Sequence, residues 1–182
     1  MIPNLEKPIT NFDINKKIYS KLNAIPIDVC DKIILYGKEN VKQGINKYSH
    51  SFQVKFHTCL LPLNHEVHSL LANVWDEAIE YFKFDISFVE PYELKRYTDT
   101  DFFGKHVDSY YSLQVDIDRK LTMVVQLSDT NEYTGDLKIF NNKVHRNKGS
   151  VTVFPSFFTH EVTKTTGVRW SLIGWAWGPY WK

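Results

Sequence analysis

The chain has 182 residues, of which 43% are hydrophobic and 24% are charged, and its formal net charge is +1. This length and composition are typical of a single globular domain and argue against a disordered or fibrous chain. Because the charge is near zero and Lys and Arg are scattered, neither nucleic acid nor an anionic membrane surface is expected as a partner.

The sequence favours a reducing, cytoplasmic setting. No segment approaches the roughly 18 consecutive apolar residues of a membrane-spanning helix, and the first residues, MIPNLEKPITNFD, lack the pattern of a signal peptide. Cys30 and Cys59 have no CxxC spacing and are too few for a disulfide framework. A monomer is expected.

Two segments before residue 86 have helical periodicity. Residues 26–40 have Pro26 or Asp28 in a suitable place for a first turn and carry apolar residues at helical spacing, namely Ile27, Cys30, Ile33 and Ile34. Residues 64–83 begin at Asn64, a common N-cap residue. Their apolar face consists of Val67, Leu70, Leu71, Val74, Trp75, Ala78 and Phe82.

From about residue 86 the pattern changes to short β-type segments separated by turn residues. They span about 88–98, 107–116, 120–128, 136–140, 150–154, 159–164 and 168–177. Such spacing predicts an antiparallel barrel or sandwich. We therefore expect one domain over 1–182, with a helical support over about 1–85 and a β core over about 86–178.

The segment LTMVVQLS alternates between two kinds of face. Leu121, Met123, Val125 and Leu127 would lie on an apolar face, and the opposite, partly polar face would carry Thr122, Val124, Gln126 and Ser128. A strand with one apolar and one partly polar face is expected in a barrel whose interior carries out chemistry.

The triplet His106-Val107-Asp108 holds two side chains that can bind a metal. In an extended strand, residues two apart point to the same face, so His106 and Asp108 would form half of a metal site. The same triplet is also compatible with an exposed pair that has no function, because short motifs of this kind arise often by chance.

An iron site with two histidines and one carboxylate needs a second histidine from elsewhere in the chain. His65 and His68 form HEVH, which is not HExxH and is better explained by a charged helical first turn. The remaining candidates have no companion carboxylates or lie in a predicted loop or hairpin: His50, His57 and His145.

His160 has different surroundings. Nine and eleven residues later, Arg169 and Ser171 alternate onto one face of the last predicted strand. A guanidinium beside a hydroxyl suits the capture of a carboxylate, and an inward-facing Arg in an aromatic strand would be costly without an anion. The sequence thus combines a possible metal site with a possible carboxylate receptor.

With these motifs in place, the sequence resembles the iron(II)- and 2-oxoglutarate-dependent dioxygenases, and among them the prolyl 4-hydroxylase-like group. The family pattern Tyr-x-x-Gly-x-x-Phe-x-x-His-x-Asp is matched by Tyr97, Phe103, His106 and Asp108. The later block, His-x(8)-Arg-x-Ser before an aromatic strand, is matched by His160, Arg169, Ser171 and Trp175. NEYTGDLKIF corresponds to the family's Gly-Gly-x-Leu turn, and the resemblance covers about residues 26–178.

The resemblance implies a double-stranded β-helix, or jelly roll, with helices bracing one sheet. It implies that His106, Asp108 and His160 bind Fe(II), and that Arg169, helped by Ser171, pairs with the distal carboxylate of 2-oxoglutarate. Tyr97 would be a further donor to the cosubstrate, and Trp175 would form a wall of the site.

Three positions depart from the family. Thr100 replaces a usual Gly, and Thr134 replaces the first of the paired glycines, which alters loop shape but not chemistry. Gln126 stands where the hypoxia-sensing prolyl hydroxylases carry a Tyr that contacts 2-oxoglutarate, and Gln can still donate a hydrogen bond there.

The reaction that the resemblance implies is hydroxylation of a C–H bond, with 2-oxoglutarate and O2 as cosubstrates, succinate and CO2 as co-products, and ascorbate as a reductant. The expected substrate is C4 of proline in a peptide, as for procollagen-proline 4-dioxygenases, with Tyr110 or Tyr111 offering aromatic surface to the ring. The alternatives are a free amino acid or other small molecule as substrate, and a metal-binding protein of cupin type without redox chemistry. The rim loops at about 99–105, 129–134 and 141–149 are expected to select the substrate.

Overall fold

The computed structural model describes residues 13–43, 54–109 and 116–180. After a 3-10 turn at Ile14–Lys16, the two helices are α1 (Ile27–Asn40) and α2 (Val67–Phe82). Five strands lie before residue 90: β1 (Tyr19–Lys21), β2 (Lys42–Gln43), β3 (Val54–Lys55), β4 (His57–Leu60) and β5 (Phe88–Val89). Eight follow: β6 (Glu93–Tyr97), β7 (Phe102–His106), β8 (Ile117–Gln126), β9 (Leu137–Ile139), β10 (Asn142–Lys143), β11 (Val151–Pro155), β12 (His160–Val162) and β13 (Arg169–Pro179).

The strands form two antiparallel sheets. The larger has eight strands in the order β1-β11-β8-β13-β6-β4-β2, with β5 added beside β13, and the smaller has the order β10-β9-β12-β7-β3. Most neighbours in these sheets are distant in sequence, as in the pairing of β6 with β13 and of β7 with β12. This is the jelly roll with supporting helices that the sequence predicts, and that prediction is confirmed.

Both helices pack against the outer face of the larger sheet. Their buried residues share one hydrophobic cluster with Leu121, Met123, Val125 and Leu127 of β8 and the residue that follows it. The predicted alternation is therefore confirmed, since Thr122 and Val124 line the interior between the sheets instead. Gly37 allows the close approach of α1, because a Cβ there would lie 2.5 Å from the Trp170 ring.

The structure corrects two details of the predicted helices. Asn64 is not the N-cap of α2, which begins at Val67 after Glu66, and the Glu66 side chain makes no capping hydrogen bond. Ile27 is 63% exposed, and the buried residues of α1 are Val29, Cys30, Ile33 and Gly37. The apolar face of α1 is thus rotated away from its first residue.

The strands around the His-x-Asp triplet also differ from the prediction. Residues 102–106, predicted as part of a rim loop, form β7, whereas the strand predicted over 107–116 is not formed at 107–109. Its remaining residues up to 115, including Tyr110 and Tyr111, lie outside the described residues. Strands β1 to β4 were not predicted, since they are short and join the two sheets from the segment expected to be helical.

Of the helices described, none is long and apolar enough to cross a membrane.

Candidate active site

His106, Asp108 and His160 lie together between the two sheets. His106 ends β7, His160 begins β12, and the two residues stand directly opposite each other in the antiparallel pair. Asp108 lies in a bend after β7, where its backbone N–H donates to the carbonyl of Ser156 at 2.8 Å. One ligand atom from each of the three lies within 4.8 Å of the others. They form a candidate site for one metal ion.

Each imidazole is oriented by a backbone carbonyl. Nδ1 of His106 lies 2.8 Å from the carbonyl oxygen of Gly104, and Nδ1 of His160 lies 3.0 Å from that of Phe158. A carbonyl only accepts, so Nδ1 carries the proton and Nε2 keeps a lone pair. Both Nε2 atoms face Asp108, at 3.4 Å from Oδ1 and 3.5 Å from Oδ2. This is the arrangement that metal-binding histidines require.

Two residues of the larger sheet hold the Asp108 carboxylate. Thr122 Oγ1 donates to Oδ2 at 2.8 Å, and Trp175 Nε1 donates to the same oxygen at 2.9 Å. Sequence analysis predicted Trp175 as a wall residue and did not identify Thr122. The signal for Thr122 was its position on the interior-facing side of β8.

The protonation states suit metal binding. Burial lowers the pKa of His160 to about 4, so this imidazole is neutral at pH 7. Burial on its own would raise the pKa of Asp108, but His160, His106 and the Trp175 N–H together hold it well below its usual range. Two imidazoles and one carboxylate are the ligand set of non-heme Fe(II) oxygenases.

Arg169 and Ser171 lie on the same face of β13, in the cavity that the metal-binding candidates also line. Arg169 is 1% exposed and Ser171 is fully buried. Among the described residues, Nη1 of Arg169 and Oγ of Ser171 have no hydrogen-bond partner. Buried donors without acceptors are costly, and a carboxylate would satisfy both.

Gln126 and Tyr97 flank the guanidinium. Nη2 of Arg169 donates to Oε1 of Gln126 at 3.0 Å, so the contact of Gln126 in this structure is with Arg169. Tyr97 pairs with Arg169 across β6 and β13, and its ring centroid lies 5.2 Å from the guanidinium carbon. Tyr133, which sequence analysis did not single out, also has a buried hydroxyl without a partner among the described residues, and its ring lies 6.0 Å from the guanidinium carbon.

Lys95 is a second buried cation in the cavity, and sequence analysis did not identify it. Lys95 is 5% exposed, and its Nζ lies 3.2 Å from Oε2 of Glu93. Burial opposes the charge, but Glu93, Tyr97 and Asp108 together raise the pKa of Lys95 above its ordinary value. The alternation of β6, which turns Lys95 and Tyr97 to one face, was the available signal.

The other described histidines lie outside this group. His68 contacts the carbonyl of Pro62 at 3.1 Å, and its ring packs against that of Tyr92 at a tilt of 46°. His65 accepts the Val67 N–H, His57 lies 3.8 Å from Asp101, and His145 is exposed. Among the described residues, one cluster has three side chains close enough together to bind a metal ion, and it consists of His106, Asp108 and His160. His50 lies outside the described residues.

Thr100 and Thr134 stand where the family has glycine, and the substitution affects the backbone conformation at Thr100. Thr100 adopts φ +71°, the left-handed region that a family glycine occupies without strain. Thr134 does not have positive φ, and its hydroxyl lies 2.7 Å from that of Thr166. The retained glycine of that turn, Gly135, carries the positive φ of +93°.

The space inside the site is narrow and opens onto a wider groove. The cavity between the metal-binding candidates and Arg169 measures about 30 Å³. The groove measures about 640 Å³ and is lined by the residues Phe56, Leu60, Glu90, Pro91, Glu93, Lys95, Phe103, His106, Val107, Asp108, Ser109, Arg119 and Trp175. Residues 129–134 and 141–149, predicted as substrate-selecting loops, contribute nothing to this described lining.

Residues 92–177 match the sequence model of the 2OG-Fe(II) oxygenase superfamily. The matched segment begins just before β6 and ends within β13, so it contains all the residues that line the narrow cavity. The resemblance inferred from the sequence is confirmed over these residues. No curated protein matches the chain in sequence.

Solved structures of prolyl hydroxylases have the same fold. A viral collagen prolyl hydroxylase from Paramecium bursaria Chlorella virus-1 superposes with a TM-score of 0.72 at 15% identity, over 92% of this chain and 99% of that one. A Pseudomonas putida prolyl-4-hydroxylase gives 0.70 at 18% identity, over 88% and 91%. A Trichoplax adhaerens prolyl hydroxylase, solved with a hypoxia inducible factor peptide, gives 0.66 at 15% identity, over 90% and 84%.

Proposed function

We propose that this protein is an Fe(II)- and 2-oxoglutarate-dependent hydroxylase whose substrate is proline in a peptide, oxidised at C4. The observation that carries the proposal is the pairing of two sites in one cavity. The ligand set His106, Asp108 and His160 stands beside the unsatisfied donors of Arg169 and Ser171. A metal and a dicarboxylate are the two groups that this pairing suits.

The residues present fit both groups. His106, His160 and Asp108 would hold Fe(II), with the imidazoles oriented by backbone carbonyls and the carboxylate by Thr122 and Trp175. When bound, iron and 2-oxoglutarate would supply the oxidising chemistry, in which 2-oxoglutarate, O2 and a substrate C–H group give succinate, CO2 and the hydroxylated substrate.

The side chains of the cavity bind, orient and exclude water. Arg169 and Ser171 would receive the distal carboxylate of 2-oxoglutarate, with Gln126 and Tyr97 holding the guanidinium. The aromatic residues Phe103 and Trp175 limit the access of water to the reacting atoms.

Two observations support a peptidyl proline as the substrate. The three similar structures are all prolyl hydroxylases, one of them bound to a peptide, but their identity to this chain is 15–18%. The groove of about 640 Å³ beside Asp108 is open enough for an extended chain. A free amino acid is the alternative substrate.

The test is incubation of the iron-loaded protein with 2-oxoglutarate, ascorbate and a panel of proline-rich peptides and free amino acids. We expect O2-dependent succinate release and one added oxygen atom on a proline, located at C4 by fragmentation. Modification of free amino acids with every prolyl peptide unchanged would assign the small-molecule substrate instead. Metal binding without succinate release would support a non-catalytic protein.

A further inference from the structure

Lys95 stands where the narrow cavity meets the open groove. It lines both spaces, whereas Arg169 and Ser171 line only the cavity. Its Nζ lies 4.7, 5.1 and 5.5 Å from the ring centroids of Phe56, Phe103 and Trp175. Phe103 in turn stacks on His106, and Trp175 holds Asp108. The ammonium is therefore fixed by the same rings that surround the candidate metal site.

The other charged groups of the groove already have their hydrogen bonds. Arg119 donates to both carboxylate oxygens of Glu90, at 2.8 and 3.1 Å, and lies 4.0 Å from the Trp175 ring centroid. Glu90 also accepts from Trp177, and Glu93 accepts from Thr58 at 2.9 Å and pairs with Lys95. The charged groups of Glu90 and Arg119 therefore already have partners within the protein.

Lys95 has donor capacity left over. An ammonium carries three N–H donors, and within the described part of the chain Glu93 is the acceptor that lies within ion-pair distance of Nζ. The remaining surroundings of Nζ are aromatic rings, which attract a cation but accept hydrogen bonds weakly. A buried ammonium in this state favours an oxygen acceptor brought by a ligand.

We propose that Lys95 is a specificity-determining residue that donates to a carboxyl-derived oxygen of the substrate, next to the residue that is hydroxylated. This inference rests on the proposed function and deepens it. The oxygen is the main-chain carbonyl of a peptide or the carboxylate of a free amino acid, and both are acceptors of the same kind. Lys95 thus selects substrates in which such an oxygen lies close to the reacting C–H bond.

The experiment measures binding without turnover, so it does not depend on the identity of the physiological substrate. Two probes, N-acetyl-L-proline and N-acetyl-L-prolinamide, are titrated by ligand-observed NMR under anaerobic conditions with Fe(II) and 2-oxoglutarate, and again on the metal-free protein. The matched variants are Glu93→Gln, which keeps the ammonium, and Glu93→Gln/Lys95→Met, which removes it while preserving the shape of the pair. Arg96→Met, on the opposite face of the same strand, is the control.

We expect Arg96→Met to bind as the wild type does, and the double variant to bind at least one probe about tenfold to hundredfold more weakly than Glu93→Gln. A loss confined to N-acetyl-L-proline indicates a carboxylate, and a loss for both indicates a carbonyl. Once a substrate is known, the same variant should raise its KM more than it lowers kcat. Thermal unfolding of each variant separates these effects from misfolding.

Three results would overturn the inference. The first is that Glu93→Gln and Glu93→Gln/Lys95→Met bind the probes equally well. The second is that the wild type shows no saturable probe binding. The third is that the double variant loses affinity for 2-oxoglutarate, and that this loss accounts for its weaker probe binding. Failure of the proposed function is recognised separately, because it appears as a lack of succinate release or of any hydroxylated product in the wild type.

Discussion

Asp108 connects the two sheets at the candidate metal centre. Its carboxylate faces the imidazoles of His106 and His160 on the smaller sheet and accepts hydrogen bonds from Thr122 and Trp175 on the larger sheet. Since the donors of the larger sheet use Oδ2, they fix the carboxylate in one orientation. The position of this one side chain therefore depends on both sheets at once.

Replacing Asp108 by Ala should abolish turnover and weaken Fe(II) binding by at least about a hundredfold, because a charged ligand and its fixed orientation are both lost. Anaerobic metal titration measures the affinity, and circular dichroism checks that the domain stays folded. The control is His65→Ala, which should retain iron and activity. Loss of iron in His65→Ala with retention in His160→Ala would show that the ligand assignment is wrong.

Arg169→Ala should weaken 2-oxoglutarate binding by roughly two to three decades, since a buried charge-assisted contact is worth a few kcal/mol. Iron binding should be largely retained, because Arg169 bonds to Gln126 and does not contact the metal-binding candidates through any described hydrogen bond. Titration calorimetry measures both affinities. The comparison is Arg146→Ala, because Arg146 donates to the carbonyl of Tyr133 and does not line the cavity. Equal 2-oxoglutarate affinity in Arg169→Ala and wild type would contradict the role.

At the scale of elements, sequence patterns predicted the parts that depend on local periodicity. The helix positions, the two faces of β8 and the alternation of Arg169 and Ser171 on β13 were all readable in this way. The pairing of β7 with β12, which brings His106 opposite His160, was not readable from spacing because the two strands are far apart in the chain. The resemblance supplied that step.

Lys95 and Thr122 were missed for a related reason. Each is a common residue in a strand, and its function depends on which side chains the neighbouring strands place beside it. The short strands β1 to β4 were missed because two to four residues carry too little periodicity to be distinguished from loops.

The turn between β6 and β7 provides a prediction about backbone strain. Thr100 has φ +71° and its N–H donates to Thr165 at 2.8 Å, so the left-handed conformation is held by a tertiary contact. Because a β-branched residue is strained there and glycine is not, Thr100→Gly should stabilise the protein by about 0.5–1 kcal/mol. Urea unfolding measures the change. Thr130→Gly, at an exposed turn position without positive φ, should instead destabilise, and a stabilisation of both variants would contradict the strain argument.

At the scale of the whole molecule, the two hydrophobic clusters have different functions. The cluster between the helices and the larger sheet is almost wholly apolar. The second cluster, between the sheets, surrounds buried polar and charged side chains, among them Lys95, Thr122, Gln126, His160 and Arg169. Burial of these groups is costly in free energy, so the outer cluster must supply stability that the interior does not.

The burial of His160 between the sheets predicts how the free energy of unfolding depends on pH in the metal-free protein. Burial lowers the pKa of His160 from 6.5 to about 4 in the folded state. Between these values the unfolded chain binds a proton that the folded protein does not, so the free energy of unfolding falls as the pH is lowered from about 6.5 to 4, by about 3 kcal/mol in total. The pKa of Asp108 is lowered below its ordinary value of 3.8, so its contribution is lost only at lower pH.

Urea unfolding between pH 7 and 4.5, with a chelator present, measures this slope. His160→Gln should flatten the slope, because it removes the histidine whose pKa burial lowers to about 4, whatever its effect on stability at pH 7. The control is His145→Gln, at an exposed position, which should keep the wild-type slope. A smaller slope is expected to remain in His160→Gln, since burial also lowers the pKa of His65. An unchanged slope in His160→Gln would show that the buried imidazole is not the source of the pH dependence.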